Sequence, residues 1–195
     1  MDLQLDKYKI LRGDFIELNE IKPGDAELIY NWRTGPGGEL MNQPEGYNLD
    51  SQRRWMSSRP ANEINYIITD LKSGTPVGMI AIVGISTQDK NAEVGRLLLA
   101  TEYLNKSNPF GLEALKLCYN VIINEWKFHK IYGNIINPAM LKMQKFLGMQ
   151  VEGVLKQQKV LNGQMHDLHL VAIFEKELNK YYLPRLSMLL KSFKD

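Results

Sequence analysis

Cysteine is all but missing. Cys118 is the only one in 195 residues, so an intramolecular disulfide is excluded. That usage suits a reducing compartment, and a cytoplasmic location is expected. Only three histidines are present, and no His/Cys spacing matches a structural zinc site, so no metal is expected. Long apolar runs are lacking too. The longest, MIAIVGI at 79–85, is far shorter than the roughly 20 residues that span a bilayer, so no transmembrane segment is expected. The opening stretch MDLQLDKYKI has neither an uninterrupted apolar core nor a cleavage-site pattern, and no signal peptide is predicted. Charge of one sign is scarce: 24 Lys and Arg stand against 22 Asp and Glu, a net +2, which gives no ground for a nucleic-acid partner. There is no internal repeat and no low-complexity tract. What is left is ordinary for a globular domain, with 44% apolar and 24% charged residues in a chain long enough for a real core.

Residues 14–21 alternate as a first strand. Pro23-Gly24-Asp25 breaks it, and Asp25 is placed to cap a helix, AELIYNWR. The Gly- and Pro-rich stretch 34–48 reads as a loop longer than packing requires, hence substrate-facing. A short helix follows at 49–59, with Asp50 or Ser51 near its cap. Strands at 64–70 and 75–86 are joined by Lys72-Ser73-Gly74. Residues 151–177 read as a long hairpin turning at Asn162-Gly163.

The most informative stretch runs from Asn91 to Gly153. It reads as a strand (AEVGRLLL), a polar loop, a helix, a strand (HKIYGNII), and then Asn137-Pro138 opening a second helix. The first helix, 112–127, carries Leu112, Leu115, Tyr119, Ile122, Ile123 and Trp126 on one stripe. Cys118 on the same helix reads as a small buried hydrophobe. A strand feeding a helix through a Gly-containing loop presents free N–H groups and the helix dipole to an anion.

In this order of elements the chain resembles the GNAT-type N-acetyltransferases, from about residue 9 to residue 177. The resemblance implies an α+β (α/β/α) GNAT fold, with a mixed sheet of about seven strands splayed at the fourth. A GNAT domain at 1–178 would then precede an amphipathic helical extension at 179–195. It also implies acetyl-CoA as co-substrate. The family's Gly-rich phosphate loop corresponds here to Lys106-Ser107-Asn108-Pro109-Phe110-Gly111, where only the last glycine is kept and Pro109 removes one donor. Lys106 retains a positive charge, Asn108 is a good N-cap, and the N–H groups of Asn108, Phe110 and Gly111 are candidates to hold the pyrophosphate. In the family the fourth strand bends at a bulge, which Gly95 suits, leaving N–H groups near Leu97 and Leu98 for the thioester carbonyl. Glu93 is the candidate base, against a purely structural carboxylate. Asn137 matches a pantetheine-binding Asn, and equally a plain N-cap. Where many members carry a tyrosine acid this chain has Gln144, leaving Tyr132, Tyr119 or water to supply the proton.

The pattern Glu152-Gly153, Asn162-Gly163, Asp167 resembles the ribosomal-protein N-terminal acetyltransferases. Asp167 and His169 share a strand face and are further candidates to orient or deprotonate the amine, or simply to bond a nearby turn. Trp32-Arg33, Ser51-Gln52 and Trp55 resemble enzymes that acetylate amino groups of nucleotide-linked sugars. Arg33 would then meet a phosphate or carboxylate, and Tyr47 or Trp55 would stack on a sugar or base; the alternative is that the tryptophans are core wedges. The favoured acceptor is the amino group of a nucleotide-linked sugar. A protein N-terminus or a small amine is the alternative, and a non-catalytic acyl-CoA-binding module is the reading from another class. In the tail, Leu183, Leu186, Leu189, Leu190 and Phe193 form an apolar stripe, expected to pack on the domain or across a homodimer rather than on a membrane.

Overall fold

The computed structural model describes residues 3–39, 41, 43–104 and 106–194. Among them eight strands make one sheet: β1 (Ile10–Arg12), β2 (Ile16–Glu20), β3 (Ile64–Asp70), β4 (Pro76–Ser86), β5 (Asn91–Leu99), β6 (Lys130–Ile135), β7 (Gln150–Leu161) and β8 (Gln164–Phe174). The spatial order is β1-β2-β3-β4-β5-β6-β8-β7. Every neighbouring pair is antiparallel except β5–β6. β1 is the strand the sequence pattern does not reveal; three residues are too few to show alternation.

Helices cover both faces. α1 (Ala26–Thr34) and α2 (Leu49–Ser57) lie on one side, and α3 (Phe110–Asn120), α4 (Pro138–Leu147), the short α5 (Glu175–Glu177) and α6 (Leu183–Lys191) on the other. The strands divide their side chains accordingly. Tyr66, Ile68, Ile80 and Ile82 point into the main core with Leu115, Cys118 and Ile122. Ile67, Met79 and Leu98 point into a second core with Ile29, Trp32 and Met56. Cys118 is fully buried, and desolvation pushes its thiol well up, so it is the small hydrophobe expected. α3 starts two residues before the expected helix and passes into a π turn at Val121–Glu125, where the Trp126 N–H donates to the Val121 carbonyl.

Local signals explain the punctuation. Asn162 and Gly163 both have positive φ, 51° and 74°, as a tight β7–β8 turn requires. One cap differs from expectation. The Asp25 carboxylate reaches back to the Lys22 N–H rather than into α1. At α2 Ser51 does lie near the cap: Asn48 is the N-cap and accepts from the Ser51 N–H, while Ser51 Oγ accepts from the Asn48 N–H.

The tail packs inward. Tyr182, Leu186 and Leu190 are buried in contact with α3 and α4. Arg185 Nη1 donates to the Phe146 carbonyl, and Lys194 pairs with Asp14 at 2.7 Å. The stripe is therefore satisfied within the molecule. No helix among the described residues is long and apolar enough to cross a membrane.

Candidate active site

The sheet opens in its middle. β5 and β6 pair only at Asn91↔Lys130, Ala92↔Ile131 and Glu93↔Tyr132. Beyond Glu93 β6 stays with β8, while β5 follows β4. The bend has an identifiable cause. Between Ala81↔Gly95 and Met79↔Leu98, β5 uses one residue more than β4. The residue in the bulge with left-handed backbone is Arg96, φ 55°, not Gly95. A non-glycine there costs about 1–3 kcal/mol. Its side chain is tied down: Nη1 donates to Asn65 Oδ1 at 2.6 Å, Nη2 to Glu63 Oε2 at 3.1 Å, and the guanidinium lies 5.1 Å from the Trp55 ring centre.

Register decides which β5 amides face the gap. Ala100 donates to the Val77 carbonyl, and amide direction alternates along an antiparallel ladder. The Leu98 N–H accordingly points to β4, and its side chain is in the second core. Leu97 and Leu99 turn their N–H groups to the open side. Of the two expected donors, only Leu97 has the geometry.

Two clefts meet at this opening. A narrow one of about 160 Å³ is walled by Val94, Leu97, Leu115, Met140, Asn137 and Gln144. A wide one of about 650 Å³ lies between α1, α2 and the β7–β8 hairpin, with Arg33, Tyr47, Gln52, Trp55 and Lys159 in its lining. Gly95, Arg96 and Asn134 line both. Glu93 lines the wide cleft at the junction. Asn134 Nδ2 donates to Glu93 Oε2 at 3.2 Å, and Glu93 Oε1 lies 3.2 Å from where a Cβ on Gly95 would be. Burial raises the Glu93 carboxyl above its ordinary range, with Asn134 and Arg96 pulling the other way.

The narrow cleft suits the pantetheine arm of acetyl-CoA, with apolar walls and an open strand edge, and Leu97 in its wall lies beside Gly111 at the start of α3. At that start Pro109 holds the N-cap position with no side-chain cap bond. Asn108 acts from one residue earlier. Its Oδ1 accepts from the Phe110 N–H at 3.2 Å, and its Nδ2 donates to the Tyr103 and Lys106 carbonyls. The Phe110 N–H is thus engaged, a departure from expectation. The first-turn N–H groups of Gly111 and Leu112, which no intrahelical carbonyl reaches, face outward for an anion. Lys106 is exposed, its Nζ 5.7 Å from the Tyr103 ring centre.

Asn137 is the N-cap of α4, accepting from the Ala139 and Met140 N–H groups. It also lines the narrow cleft. Gln144 is buried and accepts a 2.5 Å hydrogen bond from the Tyr182 hydroxyl. Tyr119 is fully buried, with its pKa driven up by desolvation. Tyr132 lines neither cleft. Of the three, Gln144 has no acidic proton and Tyr132 stands off both clefts; Tyr119 lines the narrow cleft, where its raised pKa makes it a poor proton donor.

Asp167 and His169 are not brought to the site. Leu168 and Leu170 line the wide cleft, so the residues alternating with them face the other way. The Asp167 carboxylate accepts from Lys156 Nζ at 2.8 Å and from the Gln157 N–H at 2.9 Å, fixing a bulge in β7 where Gln157 has φ 51°. Its pKa is lowered, chiefly by the Lys156 hydrogen bond. This is the turn-bonding alternative. Gln52 belongs to the Ser51-Gln52 pair of the sequence pattern, whereas Glu113 was not anticipated. Gln52 is buried at the wall of the wide cleft, and Glu113 lies under the first turn of α3, its carboxylate accepting from the N–H groups of Asp14, Phe15 and Ile16 at 2.7–2.9 Å. The start of β2 offers these consecutive amides without any sequence motif to announce them.

Residues 16–150 match the family model described as an acetyltransferase (GNAT) domain. No curated protein matches the chain in sequence. Among solved structures it is similar to a GCN5-related N-acetyltransferase from Brucella melitensis, at 16% identity and TM-score 0.75, covering 93% of this chain and 85% of that one. The spermidine N-acetyltransferase of Vibrio cholerae, in complex with CoA and spermine, is 17% identical with TM-score 0.74, covering 85% and 98%. A probable GNAT acetyltransferase from Chromobacterium violaceum is 16% identical with TM-score 0.73, covering 88% of each. A family model spanning most of the chain, on a sheet splayed where acetyl-CoA would enter, establishes that the chain belongs to the GNAT acetyltransferases, with acetyl-CoA as its co-substrate.

Proposed function

We propose that the chain acetylates a primary amine of a small molecule bound in the wide cleft, with Glu93 as the proton acceptor. The observation that carries this reading is the junction: a carboxylate of raised pKa stands where the two clefts share Gly95, Arg96 and Asn134. An ammonium arriving there loses a proton to Glu93, directly or through one water. The neutral amine forms a C–N bond to the acetyl carbon of the co-substrate, and the C–S bond breaks. The Leu97 N–H donates to the carbonyl oxygen as charge collects on it. The thiolate leaves with no side-chain acid, since a thiol of pKa roughly 8–9 is an adequate leaving group, and the second proton, shed by the acetylated nitrogen, reaches it through water. Asn137 and the first turn of α3 hold the pantetheine and pyrophosphate.

The resemblance of Trp32-Arg33, Ser51-Gln52 and Trp55 to nucleotide-sugar acetyltransferases nominates an amino sugar as acceptor. The Vibrio cholerae neighbour, seen with spermine, nominates a polyamine instead. The test is free-thiol release from acetyl-CoA over an amine panel, run beside a thermal-shift titration with acetyl-CoA. Stabilisation by acetyl-CoA with turnover that Glu93→Gln removes supports the reading. Stabilisation with no turnover of any amine, including peptide N-termini, would make the chain an acyl-CoA-binding module.

A further inference from the structure

We infer that Arg96 is a positioning residue of the acetyl transfer: its side chain, gripped from β3, holds the left-handed turn in β5 that sends the Leu97 N–H into the gap, where the thioester carbonyl would meet it. This deepens the proposed function and rests on its use of that N–H. Two independent observations lead here.

The first is the register. Gly95 lies opposite Ala81 and Leu98 opposite Met79, so three steps of β5 cover two of β4. Without the extra residue Leu97, not Leu98, would fall opposite Met79. Its N–H would then bond β4 and its side chain would enter the second core, as those of Leu98 do now. The donor faces the gap only because the bulge is kept. The peptide plane that carries the Leu97 N–H is hinged at Arg96, whose φ is 55°. A residue other than glycine keeps such a conformation only where its surroundings impose it.

The second is the grip. Arg96 Nη1 donates to Asn65 Oδ1 at 2.6 Å and Nη2 to Glu63 Oε2 at 3.1 Å, while Asn65 Nδ2 donates to Glu63 Oε1 at 3.0 Å. These three hydrogen bonds close a ring. The guanidinium only donates and the carboxylate only accepts, so the Asn65 amide has a single orientation. Asn65 is fully buried, and the Glu63 side chain is 5% exposed. The Trp55 ring covers the guanidinium from α2. β4 lies between β3 and β5, so the side chain reaches over a whole strand and pins β5 from outside its own ladder. A desolvated ion pair is a poor source of stability. What this one supplies is a fixed place for the bulge.

The experiment pairs rates with amide exchange followed by NMR on the full chain, free of ligand. In the parent the Leu97 N–H should exchange faster than that of Leu98, which β4 holds. Arg96→Ala loses the grip and disfavours the left-handed turn, so the order should invert. Its kcat should fall by about 10²–10³, with acceptor KM moving less than about threefold. Rates are compared on the plateau of the pH profile, where a cation lost near Glu93 no longer matters. Arg96→Gly takes the same φ without strain and should recover about tenfold of the loss. Arg96→Lys keeps the charge without the fork and should stay low. Should Arg96→Ala melt far below the parent, Glu63→Gln carries the test. It leaves one oxygen for two donors, and a slower Leu97 exchange with about tenfold lower kcat is expected. Parental exchange at Leu97 in these variants would overturn the inference. So would equal losses in Ala and Gly with full rescue by Lys, which would make Arg96 a plain charge. Turnover that depends on Glu93, with exchange unmoved, would leave the proposed function standing while this inference falls. An inverted exchange order in a protein that acetylates no amine would do the reverse.

Discussion

Glu93 has two neighbours that matter and one property that follows from them. Asn134 bonds one oxygen, Gly95 leaves room beside the other, and burial makes the carboxylate more basic than an exposed one. Glu93→Gln should lower kcat by about 10²–10⁴ if proton transfer limits the rate, with little rise in acceptor KM. The pH dependence has a definite sign. With its pKa raised, Glu93 is protonated, and the enzyme inactive, up to a pH above the ordinary glutamate range. Rate should rise through that raised value and lose this acid limb in the glutamine variant. Stability runs the other way: a carboxyl whose folded pKa exceeds its unfolded one destabilises the fold as pH climbs between the two. Glu93→Gln should therefore melt no lower than the parent at neutral pH, which separates lost chemistry from lost folding in a paired rate and thermal-scan measurement. At this scale the sequence was informative where a residue type and a strand position sufficed, as for Glu93, Arg33, Tyr47 and Trp55, all of which line one cleft. It misled at Asp167 and His169. Which face of β8 looks inward depends on its pairing with β6 and β7, and no local pattern carries that information.

The elements that frame the site are held by contacts remote in sequence. Glu113 joins α3 to the start of β2 through three hydrogen bonds from backbone amides, one buried and two part-buried. Glu113→Ala would leave those amides unpaired, at about 1–3 kcal/mol for each one not rescued by water. A fall in the denaturant midpoint with an unchanged slope would register this, and a stability within about 0.5 kcal/mol of the parent would contradict it. Two residues earlier in α3, Gly111 has the opposite character. A Cβ there would meet methyl groups of Leu97 and Leu99 at 3.7–4.0 Å, so substitution is sterically mild. Gly111→Glu adds a negative charge at the helix N-terminus where the pyrophosphate would sit. It should abolish the thermal shift with acetyl-CoA while the melting temperature of the free protein stays close to the parent's. Apart from β1, the order of strands and main helices and both hairpin turns were legible because periodicity and Asn-Gly or Ser-Gly punctuation are local. The β5 bulge was legible only to within a residue, since the left-handed position fell to Arg96, which side-chain bonds from Glu63 and Asn65 hold in place.

The molecule as a whole is finished by its tail. Tyr182, Leu186 and Leu190 are buried, at roughly 1.5–3 kcal/mol each for their apolar surface. Deleting residues 179–195 should lower the melting temperature markedly and expose the faces of α3 and α4 to solvent, read by dye binding and light scattering. It should also weaken acetyl-CoA binding. Gln144 lines the narrow cleft, and its side chain is oriented by the Tyr182 hydroxyl, so the floor of that cleft depends on the tail. A truncated chain with parental melting temperature and acetyl-CoA affinity would refute this. The same Tyr182–Gln144 bond has a consequence for biosynthesis. A nascent chain that has already released both walls of the cleft from the ribosome still lacks the support beneath it. Competence is thus tied to the order of synthesis: the walls of the cleft emerge before the segment that supports them, and a product cut short before Tyr182 lacks that support.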